Sequence, residues 1–413
     1  MADINKDKLV PQIRFKGYTD AWEQRAWVDT VDISTKMVDP KTGQYDKLPH
    51  IGTGNIESFT GQLFDNIKTV REDNLTSGKF HFHSGDIIYG KIRPNLGKYF
   101  LASFEGLCSA DAYVLNSKNG LEQCFLFMIL QYKAFYDYSI SVSQRTKMPK
   151  INRDELNQFK FNAPCQKEQT AISNFFRSLD NSLTLHKRKL MKLKELKRGY
   201  LQMMFPQCGE NVPRLRFKGF TDTWQEQRLG DLGETYTGLS GKTKDDFGHG
   251  GAEFVIYKNV FANTFSDIHQ TEPIGIDTTQ NEVKYGDLLF TTSSETPEEV
   301  GMASVWLDDR PNVYLNSFCF GYRPQNALDP YFSAFLLRSP KVRENFVLLA
   351  QGISRYNISK TKAMDMTVFL PSHDEQKKIG SFFRTLDTQI TAHAQKLEQL
   401  KKLKSAYLQK MFI

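Results

Sequence analysis

No stretch of the sequence is apolar for the roughly 18 residues that a membrane helix needs. The longest apolar run, Cys124 to Leu130, is a short buried segment. The opening MADINKDKLV places charges where a secretory signal would need apolar residues. Cysteine is scarce: Cys108, Cys124, Cys165, Cys208 and Cys319 are scattered, odd in number and form no CxxC. That excludes a disulfide framework and a zinc-finger pattern, and points to reduced thiols in a cytoplasmic protein. The eight histidines contain no HExxH, so no metal site is expected.

Catalytic signatures are also missing. An amino-methyltransferase would carry Asn/Asp-Pro-Pro-aromatic; Asp329-Pro330-Tyr331 lacks the second proline. GLSGKTK resembles a phosphate loop, but the position that must be glycine is Tyr236. Gly52-Thr53-Gly54 and Gly248-His249-Gly250-Gly251 read as turns, as do Asp86 and Asp287 after their glycines. Glu195-Leu196-Lys197 reads as a solvated helix face. No catalysis by the chain alone is expected, and no cofactor of its own.

What is present is a duplication, spread over 413 residues. PQIRFKGYTDAWEQ from Pro11 recurs as PRLRFKGFTDTWQEQ from Pro213. Glu168–Phe205 recurs as Glu375–Phe412, displaced by 207 residues without a gap, with about half the positions identical. Between these repeats the sequence diverges. SGDIIYGKIRPNLGKYF and YGDLLFTTSSETPEEVG share Gly-Asp and an apolar strand and little else. The order is variable domain, constant helix, variable domain, constant helix. The expected boundaries are 1–165, 166–206, 207–371 and 372–413.

The constant segments read as helices. Leu179, Leu183, His186, Leu190 and Leu193 follow alternating spacings of four and three, and so do Leu386, Ile390, His393, Leu397 and Leu400. This is the pattern of a coiled-coil seam, continuing through Tyr200 and Met204 and through Leu403, Tyr407 and Met411. His186 and His393 occupy equivalent positions and read first as polar residues that set register, with a metal site or pH switch as the other reading. Glu168 and Glu375 suit the positive end of a helix dipole. A helix over 173–205 would be about 50 Å long. The first helix leaves domain one and the second leaves domain two, so packing along the seam must be antiparallel. The expected molecule is pseudo-two-fold: mixed α/β domains, in two copies, joined by an antiparallel helical spacer.

In the variable domains, strands are expected at Gly85–Tyr89, Ala112–Leu115, Gly286–Phe290 and Ser317–Tyr322. Helices are expected over Leu121–Tyr138 and Pro330–Leu349.

The net charge is +7, but its distribution is uneven. Residues 166–205 and 373–413 carry +6 and +4, whereas 1–165 carry +2 and 206–372 carry −5. The globular parts therefore offer only local basic clusters. Gln144, Arg145, Lys147, Lys150 and Arg153 form one. Arg355, Tyr356, Asn357, Lys360 and Lys362 form its counterpart. Lys91, Arg93, Asn95 and Lys98 form a third, where domain two instead has Glu295, Glu298 and Glu299. Such side chains hold phosphates and read base edges.

This plan resembles the specificity subunit of type I restriction-modification systems. The resemblance rests on RFKGYTDAWEQ, the GDII and GDLL strands, QGISRYNI, and the Pro…EQ…I…FF…LD start of both helices. It implies that each variable domain is a target-recognition domain reading half of a bipartite site in double-stranded DNA, with the helices setting the spacing. It further implies two methyltransferase subunits that bind S-adenosylmethionine, and two restriction/translocase subunits that use ATP and Mg. A rod of the expected length would separate two readers by at least a helical turn of DNA, about 34–36 Å. The other reading is a two-headed protein-binding adaptor with no DNA role.

Overall fold

The computed structural model describes residues 9–144, 148–207, 209–325 and 328–413. In chain order the first half contains β1 (Glu23–Ala26), α1 (Trp27–Thr30), β2 (Val31–Ile33), β3 (Met37–Val38), β4 (Pro49–Ile51), β5 (Lys68–Thr69), β6 (Lys79–Phe82), β7 (Ile87–Gly90), β8 (Tyr99–Leu101), β9 (Gly106–Cys108), β10 (Ala112–Ser117), α2 (Gln123–Ile129), α3 (Lys133–Ser143), α4 (Arg153–Asn157), β11 (Lys160–Ala163) and α5 (Gln166–Met203). The second half contains β12 (Gln225–Arg228), β13 (Gly233–Thr237), β14 (Phe247–Val255), α6 (Tyr257–Ala262), β15 (Thr271–Ile274), β16 (Leu288–Thr291), β17 (Ser293–Ser294), β18 (Ala303–Val305), β19 (Val313–Leu315), β20 (Cys319–Pro324), α7 (Pro330–Leu336), α8 (Pro340–Leu349), β21 (Tyr356–Asn357), α9 (Lys360–Met364), β22 (Thr367–Leu370) and α10 (His373–Lys410).

The chain divides into two units, Met1–His186 with Lys396–Ile413, and Lys187–Gln395. The boundaries differ from those expected, because each unit takes half of both long helices rather than leaving them as separate spacers. The reason is visible in each core. In the first unit Trp22 meets Phe125 and Phe412, each at 6.0 Å, and Phe176 lies 6.2 Å from Phe412. In the second unit Trp224 meets Phe332 at 5.9 Å and Phe205 at 6.3 Å, and Phe205 lies 5.9 Å from Phe383. Every member of one aromatic cluster has its counterpart in the other. Each cluster is completed by the Met-Phe that ends one of the long helices, Phe412 in the first and Phe205 in the second. Removing either ring would leave a cavity costing about 3–5 kcal/mol.

Both units share a sheet plan. The first has the antiparallel order β2-β10-β7-β8 and the second β13-β20-β16-β18. Each has a second sheet with one parallel pair, β4 with β9 and β14 with β19. Each ties its start to its end by a two-stranded ribbon, β1 with β11 and β12 with β22. The strands after Gly-Asp begin two residues later than expected. Gly85 and Gly286 turn with φ of +97° and +86°, and Asp86 and Asp287 each accept a backbone N–H at 2.8 Å from His83 and Lys284.

The expected single helices over 121–138 and 330–349 are each broken into two. Ser339 is extended before Pro340, whose ring disfavours a helical predecessor. Tyr132 is likewise extended and stacks on Phe412 at 5.5 Å.

The long helices run from Gln166 to Met203 and from His373 to Lys410, 38 residues each. Within each unit they pack antiparallel. In the first, Phe175 meets Tyr407 and Asp180 meets Lys404; in the second, Lys197 meets Asp387 and Tyr200 meets Phe382. One partner number rises as the other falls. Leu179, Leu193, Leu386 and Leu400 are buried, and Leu183, His186, Leu190, Ile390, His393 and Leu397 are half-buried.

The expected continuation through Leu403 fails. Leu403 is 43% exposed, and Lys404 turns inward instead, 2.6 Å from Asp180. The equivalent residues repeat the arrangement: Leu196 is exposed, and Lys197 lies 2.6 Å from Asp387. Lys197 is thus part of the packing rather than of a solvated face. Glu168 and Glu375 also do more than complement a dipole. Both are buried, and each receives a bidentate guanidinium from the repeated RFKG segment. Arg14 donates twice to Glu168 at 2.7 Å, and Arg216 donates to Glu375 at 2.9 and 2.7 Å.

Candidate nucleic-acid interface

In the first unit the chain leaves β7 through Lys91 and Arg93 and re-enters at β8. This loop lies on the segment that follows α3. Arg93 N donates to Pro149 O at 2.7 Å, Ile151 N donates to Lys91 O at 3.0 Å, and Ile92 bridges Lys150. Two clusters separate in sequence therefore form one surface, which includes Lys91, Arg93 and Lys150. Gln144 is exposed just after α3, and Lys150 N donates to Ser143 O at 3.3 Å. Arg145 and Lys147 lie outside the described residues.

The clustered charge acts on Lys91. Its half-buried ammonium sits 5.1 Å from the Tyr113 ring and is held below the ordinary lysine pKa, first by burial and then by Lys150, with Arg153 adding to it. Arg93 is exposed and adopts φ +51°, a left-handed conformation that costs a non-glycine residue about 1–2 kcal/mol. Asn95 is also exposed, and its carbonyl accepts from Tyr136 at 3.2 Å.

Two candidate cations are otherwise engaged. Lys98 donates its amine to Ile56 O and lies 5.7 Å from the Phe64 ring. Arg153 donates to the carbonyls of Ile33 and Ser34 and stacks on Tyr113 at 5.3 Å. Both hold loops in place.

In the second unit β17 pairs with β21, Ser293 with Asn357 and Ser294 with Tyr356. The counterpart of the Lys91 loop therefore again meets the counterpart of the Lys150 segment. Mutual hydrogen bonds between Gln351 and Asn357, at 2.9 and 2.8 Å, close a tight loop. Gly352 adopts φ +143°, and a Cβ there would lie 2.0 Å from Arg355 O, so only glycine fits. Arg355, Asn357 and Lys362 are exposed, and Tyr356 and Lys360 are half-buried. Lys362 N lies 3.4 Å from the Ser359 hydroxyl that caps α9. Continuing the register sets Glu295 opposite Arg355, and Glu298 and Glu299 are exposed nearby in sequence. The second surface is thus mixed in sign where the first is basic.

Sequence reading did not foresee Ile353, which is 95% exposed at the tip of this closed loop. Nor could it separate free arginines from structural ones. Arg338 and Arg343 are half-buried and donate to backbone carbonyls, and loss of hydration pushes each guanidinium down to about 10. The apparent phosphate loop is likewise structural. Lys242 pairs with Asp277 at 2.6 Å, and Tyr236 donates to buried Asp287, which also takes Arg323 in a bidentate pair.

A cleft beside the long helices recurs as well. In the first unit it measures 310 Å³ and includes Gln131, Lys133, Ser405 and Leu408. In the second it measures 400 Å³ and includes Arg338, Pro340, Arg198 and Leu201. Each of these residues has its equivalent 207 positions away.

Such an architecture, two dissimilar heads of one plan with the same helical elements built into both, defines a duplicated recognition module. The chain belongs to the Type I restriction modification DNA specificity domain family, whose model matches residues 20–195 and again 221–402. It is 37% identical over 151 residues to the type I restriction enzyme EcoDI specificity subunit of Escherichia coli, covering 37% of this chain and 33% of that one. It is 20% identical over 341 residues to the type I restriction enzyme MjaVIII specificity subunit of Methanocaldococcus jannaschii, covering 80% and 79% of the two chains. The first match spans about a third of its relative's length. The fold is that of the crystallised type I S subunit from M. genitalium, with a TM-score of 0.62 at 15% identity over 98% of this chain and 99% of that one. Among the described residues no helix is long and apolar enough to cross a membrane.

Proposed function

We propose that this chain is a non-catalytic specificity subunit, each unit of which reads one half of an asymmetric, bipartite site in duplex DNA. The observation that carries this reading is the double family match over two units that share a scaffold yet differ at the loops where polar and basic side chains gather. A common scaffold with unlike loops suits two different half-sites. Arg93, Asn95, Gln144 and Lys150 would serve one, and Arg355, Asn357, Lys360 and Lys362 the other, phosphates fixing position and base edges giving sequence. Exposed Ile353 would press on a base step or sugar edge.

The antiparallel helices would act as a coiled-coil spacer, and the duplicated clefts would give two equivalent docking places for a symmetric pair of methyltransferase subunits. S-adenosylmethionine would belong to those subunits, and ATP and Mg to two restriction/translocase subunits. The decisive experiment maps methylated adenines genome-wide in cells with this chain, without it, and with Arg355→Ala. A split motif present only with the chain supports the reading. Loss confined to one half-motif in the variant assigns the second unit. An unchanged methylation map without the chain would refute the proposal.

A further inference from the structure

We propose that His81, His83 and Glu105 form a binding site for a divalent transition cation in the first unit, distinct from the basic loops. The sequence alternates Phe80, His81, Phe82, His83. Phe80 and Phe82 are buried, so the two histidines share the opposite face, as residues two apart on a strand must. The antiparallel ladder of β6 and β9 pairs His81 with Leu107 and Phe82 with Gly106. One step further along the same register, Glu105 falls opposite His83. Two imidazoles and a carboxylate therefore converge on one side of two adjacent strands.

The distances agree. One ligand atom from each residue lies within 4.8 Å of the others, and this is the one such triad among the described residues. His81 Nε2 lies 2.7 Å from Glu105 Oε1, and the two imidazole centroids are 4.5 Å apart. Tetrahedral zinc, with bonds of about 2.0–2.2 Å, spaces its ligands about 3.3 Å apart. The His81–Glu105 contact opens by about half an ångström and His83 turns inward, both by side-chain torsion alone.

The surroundings hold the ligands in place. The Tyr45 ring packs 5.3 Å from His81, and Asp86 accepts the backbone N–H of His83 at 2.8 Å. Two imidazole nitrogens with one carboxylate select zinc, nickel or copper over the oxygen-seeking calcium and magnesium. The fourth position faces solvent and takes water. Bound metal would staple β6 to β9 and brace the sheet β3-β6-β9-β4-β5.

The test is calorimetric titration of the metal-stripped full-length chain with zinc chloride, paired with thermal unfolding with and without zinc. His83 and Glu105 are 66% and 50% exposed, so His83→Ala and Glu105→Gln should fold normally. A site of unit stoichiometry is expected, weakened at least about tenfold in either variant, since losing a ligand costs no less than losing its outer support. His269→Ala should bind as the parent does. Absence of binding at micromolar zinc, or equal affinity in parent, His83→Ala and Glu105→Gln, would overturn the proposal.

Discussion

Replacing Arg216 by alanine should destabilise the second unit far more than a surface substitution does. Arg216 is 14% exposed and Glu375 only 1%, and two hydrogen bonds of 2.9 and 2.7 Å join them. Hydrogen bonding to Glu375 also holds the guanidinium above its ordinary pKa. Removing the arginine leaves a buried carboxylate without its cation, a loss of about 3–5 kcal/mol. For a unit of this size each kcal/mol moves the melting point by roughly 2–4 °C, so a drop of roughly 6–20 °C is expected. Hydrogen exchange read by mass spectrometry should localise the loss to residues 187–395, sparing the aromatic cluster around Trp22. The double variant Arg216→Leu/Glu375→Leu should recover most of the loss, because it removes both charges. A shift under about 3 °C in Arg216→Ala, or no recovery in the double variant, would refute the reasoning.

Leu400→Ala should cost about 2–5 kcal/mol and Leu403→Ala no more than about 0.5, a contrast read by urea unfolding. Phe412→Ala should lower the stability of the first unit by about 3–5 kcal/mol, seen as faster exchange around Trp22. Lys150→Ala should weaken DNA binding by the assembled complex and flatten its log affinity–log salt slope by about 0.9, whereas Lys98→Ala should change stability without changing that slope. Asp277 is held well below the ordinary carboxylate range, chiefly by Lys242 and then by Thr279 and Gln280. Its contribution is present at neutral pH and is lost as pH falls below about 4, so Asp277→Asn should show a shallower stability loss on acidification.

The duplication, the helices and their direction were legible because they depend on local spacing and on connectivity. A repeated heptad pattern states which face is apolar, and an uninterrupted offset states which residues correspond. The breaks at Tyr132 and Ser339 were not legible from apolar periodicity, which runs across them. Nor was the inward turn of Lys404, since a lysine in a leucine-rich helix reads as solvated until Asp180 is placed beside it. At the candidate surface, the sequence does not tell which cations are held by backbone carbonyls. Lys98 and Arg153 look like Lys91 and Arg93 on paper, and only the carbonyls of Ile56, Ile33 and Ser34 distinguish them. The joining of the Lys91 and Lys150 clusters, more than 50 residues apart, depends on tertiary hydrogen bonds that no window of sequence contains.

The aromatic cluster of the first unit waits for Phe412, and Ile13 N is satisfied only by Lys410 O at 2.9 Å. During synthesis the ribosome makes the bulk of this unit first, yet its last structural piece arrives after the entire second unit has emerged. The half begun earliest is therefore finished latest, and until then its tryptophan pocket stands open to chaperones or to aggregation. A frameshift just before residue 396 would damage the unit begun first and spare the one made in between.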